Sequence, residues 1–388
     1  MGRLDRAGPL RRPIPVPPSR FVAPRVVLMA QFLVRPDLHR EFADPHAVFC
    51  LLTQADRAAE FELAPSSRYG TVVHHTLAAH EALADALPAL PADADVFVVC
   101  PDRFLVSPDP AQLGAGRRLS VMPCGSTPVT DAHVAYFLDV VERTDPQALE
   151  AAADRLFEAL GDADEVLLTS PAEGASARFG VSGGYEWNQQ AGALTAGEQQ
   201  IAPSGEASAA PTGLYRFDTT RRLALDGRIA LLGAPIVHRG DDPAVRGEQA
   251  RIFADLDVLR TATVLLDLSG GLVTGVTALE RAGQPAVDAL EKLYAADEDY
   301  RVVWEFGIGL NPVLEQQPGN CGLNEMYGSV GGVVHLGFGL TPSTRYALTF
   351  TCADTVMTDP ESGSRIAGPA APGPVRRLHR QRTPGCGC

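Results

Sequence analysis

From Val302 to Met357 the chain runs through strand-like and glycine-rich stretches with little helical periodicity, which confines its last third to a β-rich layer. Three groups punctuate that layer. Glu305 lies in Val302-Val303-Trp304-Glu305-Phe306-Gly307-Ile308-Gly309-Leu310-Asn311-Pro312, and His335 in Gly332-Val333-Val334-His335-Leu336-Gly337-Phe338-Gly339. Cys352 and Asp354 follow in Thr351-Cys352-Ala353-Asp354. A carboxylate, an imidazole and a thiol–carboxylate pair, all within 50 residues, can share a cation.

Length and composition bound the rest. A chain of 388 residues exceeds what one hydrophobic core usually organises, so two domains are expected. A formal net charge of −14 argues against general nucleic-acid binding, which depends on Lys and Arg meeting phosphates. Arg376, Arg377, Arg380 and Arg382 are read as a solvated basic tail. No stretch approaches the ~18–20 apolar residues of a membrane span. Residues 1–24 combine prolines and arginines without an apolar core, the pattern of a disordered leader and not of a signal peptide. Seven cysteines without a CxxC pair suggest reduced thiols and a cytoplasmic setting. Cys386-Gly387-Cys388 could bind a soft metal or form a redox pair, but a short motif on a tail carries little weight.

The expected fold class is α/β: an N-terminal βα layered domain with a mostly parallel sheet, then a β-rich α+β domain. Its expected boundaries are a leader at 1–24, the α/β domain at 25–179, a Gly/Ala-rich passage at 180–213, the β-rich domain at 214–358 and a disordered tail at 359–388. Apolar runs at 25–34, 95–100 and 165–169 suit strands buried on both faces. The spacing predicts a helix over 146–160, with Asp145 as cap, Pro146 in the first turn and Gly161 closing it. A second helix is expected over 72–87 and a third over 284–295. The passage 180–213 is expected to hold neither helix nor strand. Hairpins are expected over 221–232, turning at Asp226-Gly227, and over 263–276, turning at Ser269-Gly270-Gly271.

Strand parity sharpens the site. Over 346–357 one face would carry Leu348, Phe350, Cys352, Asp354 and Val356, and the other Ala347, Thr349, Thr351, Ala353 and Thr355. Asp354 thus shares the apolar parity, where a carboxylate is costly unless paired, hydrogen-bonded or coordinating. His335 falls with Val333 and Gly337. Both residues also have ordinary explanations: His335 as a hydrogen-bonded core residue, Asp354 as a partner of backbone amides. His74, His75 and His80 fall on the predicted 72–87 helix without ligand spacing and read as surface or cleft residues. Cys124-Gly125-Ser126-Thr127-Pro128 forms a loop after a strand at Leu119–Met122, a place where ligands approach. Tyr185 and Trp187 in Gly183-Gly184-Tyr185-Glu186-Trp187-Asn188 either grip a ligand or staple the loop to the body. With no Walker A loop and no strand-borne GxGxxG, nucleotide chemistry is not expected.

The segments Glu305-Phe306-Gly307-Ile308-Gly309-Leu310-Asn311-Pro312 and Gly332-Val333-Val334-His335-Leu336 resemble the C-terminal signature of the thermophilic-type metallo-aminopeptidases (the aminopeptidase T, or leucyl aminopeptidase-like, family), to which the 2,5-dihydroxypyridine dioxygenases are similar in fold. Pro203-Ser204-Gly205-Glu206-Ala207-Ser208-Ala209-Ala210-Pro211 resembles that family's Pro-x-Gly-Glu segment, and Ala177–Gly183 a related strand. The resemblance covers roughly 140–357. It implies Glu206, Glu305, His335 and Asp354 as metal ligands, with Cys352-Ala353-Asp354 standing where the family closes on His-x-Asp. A thiolate at Cys352 is a softer donor and favours zinc or copper over iron. Tyr346 loosely replaces a family tyrosine that follows the histidine. The implied cofactor is a divalent metal, zinc, manganese or cobalt before iron, unless the change at Cys352 has removed it.

Three functional readings follow. The first is a divergent metal-dependent aminopeptidase-like enzyme acting on a peptide or peptide-derived substrate, with Glu206 moving the proton and Tyr346 assisting. The second is a catalytically degenerate relative that presents a peptide to a partner enzyme in a biosynthetic pathway. The third is a mononuclear iron ring-cleaving dioxygenase. A peptide or small molecule is the expected partner, with no nucleic acid and no membrane, and a homodimer follows the family's habit.

Overall fold

A computed structural model describes residues 31–369, except 43, 124, 183, 212–217, 219, 240–242, 340 and 342–343. The leader, most of the run at 25–34, the basic tail and Cys386-Gly387-Cys388 lie outside the described residues, as does Cys124. The fold is mixed α/β, with one five-stranded parallel sheet and antiparallel sheets of six and seven strands.

The parallel sheet is built from runs too apolar to leave either face in water. Asp95–Val99 is buried throughout and lies between Val48–Gln54 and Arg118–Val121, with Thr71–Leu77 and Gln199–Ile201 at the edges. Thr71–Leu77 overturns the helix expected over 72–87. Its β-branched Thr71, Val72, Val73 and Thr76 suit a strand better than a helix, and residues 78–82 break the segment before a one-turn helix at Leu83–Ala86. His74 and His75 therefore sit on an edge strand, where His74 Nε2 meets Thr53 Oγ1 at 2.7 Å.

One buried ion pair pins this sheet. Asp95 is wholly buried, and Arg118, its register partner on the next strand, grips it through Nε at 2.7 Å and Nη2 at 2.8 Å. The Tyr69 hydroxyl donates to the same carboxylate at 3.0 Å. The helices Asp131–Arg143 and Pro146–Gly161 follow, the second capped by Asp145 as expected.

The second half folds around a larger apolar cluster shared by the two antiparallel sheets. The hairpin Val264–Ser269/Leu272–Ala278 and the helix Gln284–Ala296 form as expected. The hairpin expected over 221–232 does not: Leu225–Leu231 is one strand between Ala175–Gly180 and Val264–Ser269, and Gly227 lies inside it. A Cβ there would meet the Ser176 carbonyl at 2.6 Å, so this glycine permits close strand approach and does not mark a turn. The passage 180–213 also departs from expectation, because small side chains pack well in a sheet interior: it supplies Glu186–Gln190, Gln199–Ile201 and Glu206–Ala210.

The six-stranded sheet runs in the order Pro235–His238, Ala347–Cys352, Val333–Phe338, Val303–Gly309, Glu206–Ala210, Glu186–Gln190, antiparallel throughout. Ala207, Ala209, Phe306, Ile308, Val334, Leu336, Leu348 and Phe350 point from one face into the cluster, where Phe306 stacks on Phe179 at 4.5 Å between ring centroids. That leaves the opposite face for polar groups. Among the described residues no helix is long and apolar enough to cross a membrane.

Removing one partner of a buried ion pair strands the other charge. Arg118→Ala is expected to destabilise the protein by about 3–5 kcal/mol, read by urea unfolding, while Arg117→Ala, a mutation of the neighbouring arginine that bonds only backbone carbonyls, costs much less.

Candidate metal centre

The polar face follows from register. Ser208, Gly307, His335 and Thr351 lie side by side across four strands. Glu305, Gly337 and Thr349 form the adjacent row, and Glu206 pairs with Gly309. Directly opposed residues of an antiparallel sheet share a face, so Glu206, Glu305 and His335 project together. Glycine is what gives them room. A Cβ at position 307 would stand 1.9 Å from His335 Nε2, and one at 309 would stand 2.2 Å from the Tyr327 carbonyl oxygen. The imidazole thus lies on bare backbone.

Glu206 is delivered by a locked turn. Gly205 has φ +128° and approaches Asn311 too closely for any side chain. Asn311 is fully buried, and its amide donates to the Ser204 carbonyl at 2.8 Å and the Thr144 hydroxyl at 3.0 Å. The Pro203–Glu206 turn and the Leu310-Asn311-Pro312 end of the Glu305 strand therefore hold each other.

One ligand atom from each of Glu206, Glu305 and His335 lies within 4.8 Å of the others. His335 Nε2 and Glu206 Oε1 are 3.1 Å apart, and the buried His335 Nδ1 has no hydrogen-bond partner among the described residues. Burial, then the charge of Glu206, pushes the Glu305 carboxyl up to about 7. Burial works against charge on His335, but the hydrogen bond and charge of Glu206, joined by the charges of Glu305 and Glu325, outweigh it and raise the imidazole to about 9. Two carboxylates and a buried imidazole on one face attract positive charge, as a proton or as a cation.

A second pair lies beside them that the sequence did not single out. His238 closes the edge strand Pro235–His238, and Glu325 stands on the short 3-10 turn Gly322–Met326. His238 Nε2 meets Glu325 Oε1 at 2.5 Å, and the same oxygen accepts from Thr349 Oγ1 at 2.6 Å. Burial opposes the charged form of Glu325, but His238 outweighs it and draws the carboxyl down to about 2. Burial likewise opposes charge on His238, and Glu325 raises it. No motif marks either residue, because a strand end and a turn 87 positions apart meet only in the fold.

The other candidates go elsewhere. Cys352 has the parity of Leu348 and Phe350, as expected, but that face is the core: the thiol is fully buried in the apolar cluster and donates to the Phe350 carbonyl at 3.8 Å. Burial raises its pKa and keeps the sulfur protonated. Asp354 lies past the strand end in a turn, where Oδ1 accepts from Ser170 Oγ at 3.3 Å. The site-facing residues of that strand are Thr349 and Thr351. Neither hydroxyl is free, since Thr351 Oγ1 exchanges hydrogen bonds with the Ala234 backbone. Tyr346 gives its hydroxyl to Glu248 Oε2 at 2.6 Å and is no part of the cluster. Tyr185 and Trp187 pack against Phe179, so they staple their segment to the body.

With this geometry in place, comparison with known proteins separates fold from function. No family model matches the chain, and no curated protein does. Among solved structures, 2,5-dihydroxypyridine dioxygenase from Pseudomonas putida aligns with a TM-score of 0.51 and 14% identity, over 87% of this chain and 94% of its own. AmpT from Thermus thermophilus aligns with a TM-score of 0.39 and 11% identity, over 84% and 95%. The likeness to the dioxygenase is one of fold. It is distant, and it spans nearly the whole described chain.

The two faces predict opposite outcomes for two small changes. Gly307→Ala should displace His335 and abolish cobalt binding measured by absorption titration, while far-ultraviolet circular dichroism is retained. Cys352→Ala should bind cobalt as wild type does, without loss of any sulfur-to-metal band, and lose about 1 kcal/mol of stability.

Proposed function

We propose that Glu206, Glu305 and His335 hold a divalent cation and that the protein is a divergent metal-dependent hydrolase acting on a peptide or peptide-derived substrate. The observation that carries this reading is the convergence of three ligand atoms within 4.8 Å on a floor cleared by glycine. The donor set fits. Ligands at the ~2.0–2.2 Å of zinc–nitrogen and zinc–oxygen bonds stand about 3.3 Å apart in a tetrahedron, and His335 Nε2 and Glu206 Oε1 are 3.1 Å apart. With the Cys352 thiol in the core, the preference for a soft metal falls away, and two carboxylates with one imidazole suit zinc, manganese or cobalt. A single imidazole weighs against iron chemistry with oxygen.

A divalent cation at such a site polarises a carbonyl and lowers the pKa of a bound water. The chain's own groups do the rest. Ser208, in the neighbouring row of the sheet, favours the charged form of Glu305 against the burial that opposes it. The bare backbone of Gly307 is the floor on which the His335 ring lies, within reach of Glu206 and Glu305. Glu325, charged and held by His238 and Thr349, borders that floor beyond Gly337.

One observation favours the degenerate, peptide-presenting reading instead. Thr349 and Thr351 face the site on the strand where the resemblance places His-x-Asp, and both hydroxyls serve the fold. Metal content decides between them. Purified wild-type protein is expected to carry about one equivalent of zinc, manganese or cobalt by inductively coupled plasma mass spectrometry, and Glu305→Ala to carry none while keeping its circular dichroism. Wild type that stays empty after incubation with these ions would overturn the hydrolase in favour of the binding protein.

A further inference from the structure

The His238–Glu325 pair is not used by the three-ligand cluster, and its imidazole has a third partner. Ser126 Oγ lies 3.4 Å from His238 Nδ1, on the side of the ring away from Glu325. A neutral imidazole that donates Nε2–H to Glu325 presents the lone pair of Nδ1 to the serine hydroxyl. This is the order of nucleophile, base and orienting carboxylate in which a serine is activated. The spacing of 3.4 Å is at the long end, as such contacts often are before substrate draws them in.

The local fold supports this role for Ser126. The residue follows the strand Arg118–Val121 and precedes the helix Asp131–Arg143, at the carboxyl end of the parallel sheet, where open α/β sheets take their ligands. Gly125 before it has φ +82°, and a Cβ there would stand 2.1 Å from the Arg103 carbonyl carbon, so the turn is tight and admits only glycine. The loop is also fixed from the other side. The Ser126 carbonyl accepts from the Arg239 amide at 2.9 Å and from Gln249 Nε2 at 2.8 Å, and the Gly125 carbonyl accepts from Arg246 Nη2 at 2.6 Å. Ser126 remains half-buried, while the His238 and Glu325 side chains keep 16% and 24% of their surface open, so none of the three is sealed in the core.

We infer that Ser126, His238 and Glu325 form a second, metal-independent reactive site that transfers acyl groups from carboxylic esters to water. In the first step a bond forms between Ser126 Oγ and the carbonyl carbon, and the ester C–O bond breaks. The serine proton passes to His238 Nδ1 and from there to the departing alkoxide, releasing the alcohol. Water then attacks the acyl-serine, gives its proton to His238, and releases the acid as the proton returns to Ser126 Oγ. Water is the sole co-reactant. The site shares no ligand residue with the metal cluster, although Glu325 borders both, and its chemistry needs no metal.

The test uses a fluorophosphonate probe on the full-length protein, with and without prior chelation by EDTA. The serine oxygen bonds to phosphorus, the P–F bond breaks and fluoride leaves. One equivalent of label at Ser126 is expected by peptide mass spectrometry, unchanged by chelation and absent in Ser126→Ala. His238→Gln should slow labelling about 100-fold, the scale of a lost general base, and Glu325→Gln should slow it less. Unlabelled wild type, or labelling at Ser126 that His238→Gln leaves unchanged, would overturn the inference. Ser126→Cys guards against misfolding in the alanine variant. Iodoacetamide should alkylate position 126 faster in Ser126→Cys than in Ser126→Cys/His238→Gln, and equal rates would also count against the triad.

Discussion

The contact between the His335 ring and the bare backbone of Gly307 governs the rest of this site. A sheet interior normally fills both faces with side chains, and here one face is emptied so that an imidazole can lie flat across its neighbouring strand. The vacated space is what allows Glu305, on that same neighbouring strand, and Glu206, on the next, to reach the same point. The cost of gathering buried charge there is offset on the far face of the same strands, where Phe306, Ile308, Leu336 and Phe350 are buried in the larger cluster. Site and core are thus two sides of one sheet, related by alternation along each strand.

That relation explains what could be read in the residues. Glu305 and His335 were legible because each interrupts an apolar strand with a polar side chain beside glycines. Glu206 was legible only through the Pro-x-Gly-Glu pattern, and the structure gives that pattern a physical basis in the tight fit of Gly205 against Asn311. The parity of Cys352 was also correct. The error lay in assigning the apolar parity to the site, when His335 with Gly337 had already marked the small-residue face as the open one. Thr349 and Thr351 carried that signal.

Other parts were out of reach of pattern alone. The edge strand Thr71–Leu77 carries two histidines and no strict alternation, so its pairing with Val48–Gln54 decides its form. The segment 180–213 reads as a linker because Ala, Ser and Gln have weak preferences, yet Glu206–Ala210 is wholly buried between two partner strands, which supply the context its own residues lack. His238, Glu325 and Ser126 come from three separate stretches and meet only through tertiary packing.

The glycine floor also bears on how such a site can change over generations. Residues under the imidazole admit no gradual enlargement, since even one methyl group at position 307 collides with His335. Variation that keeps the cluster is therefore channelled to the rim, to residues such as Thr349, whose hydroxyl exchanges a hydrogen bond and can be traded in small steps. Substitutions among descendants of this chain would gather at the rim long before they reached the strand beneath the ring.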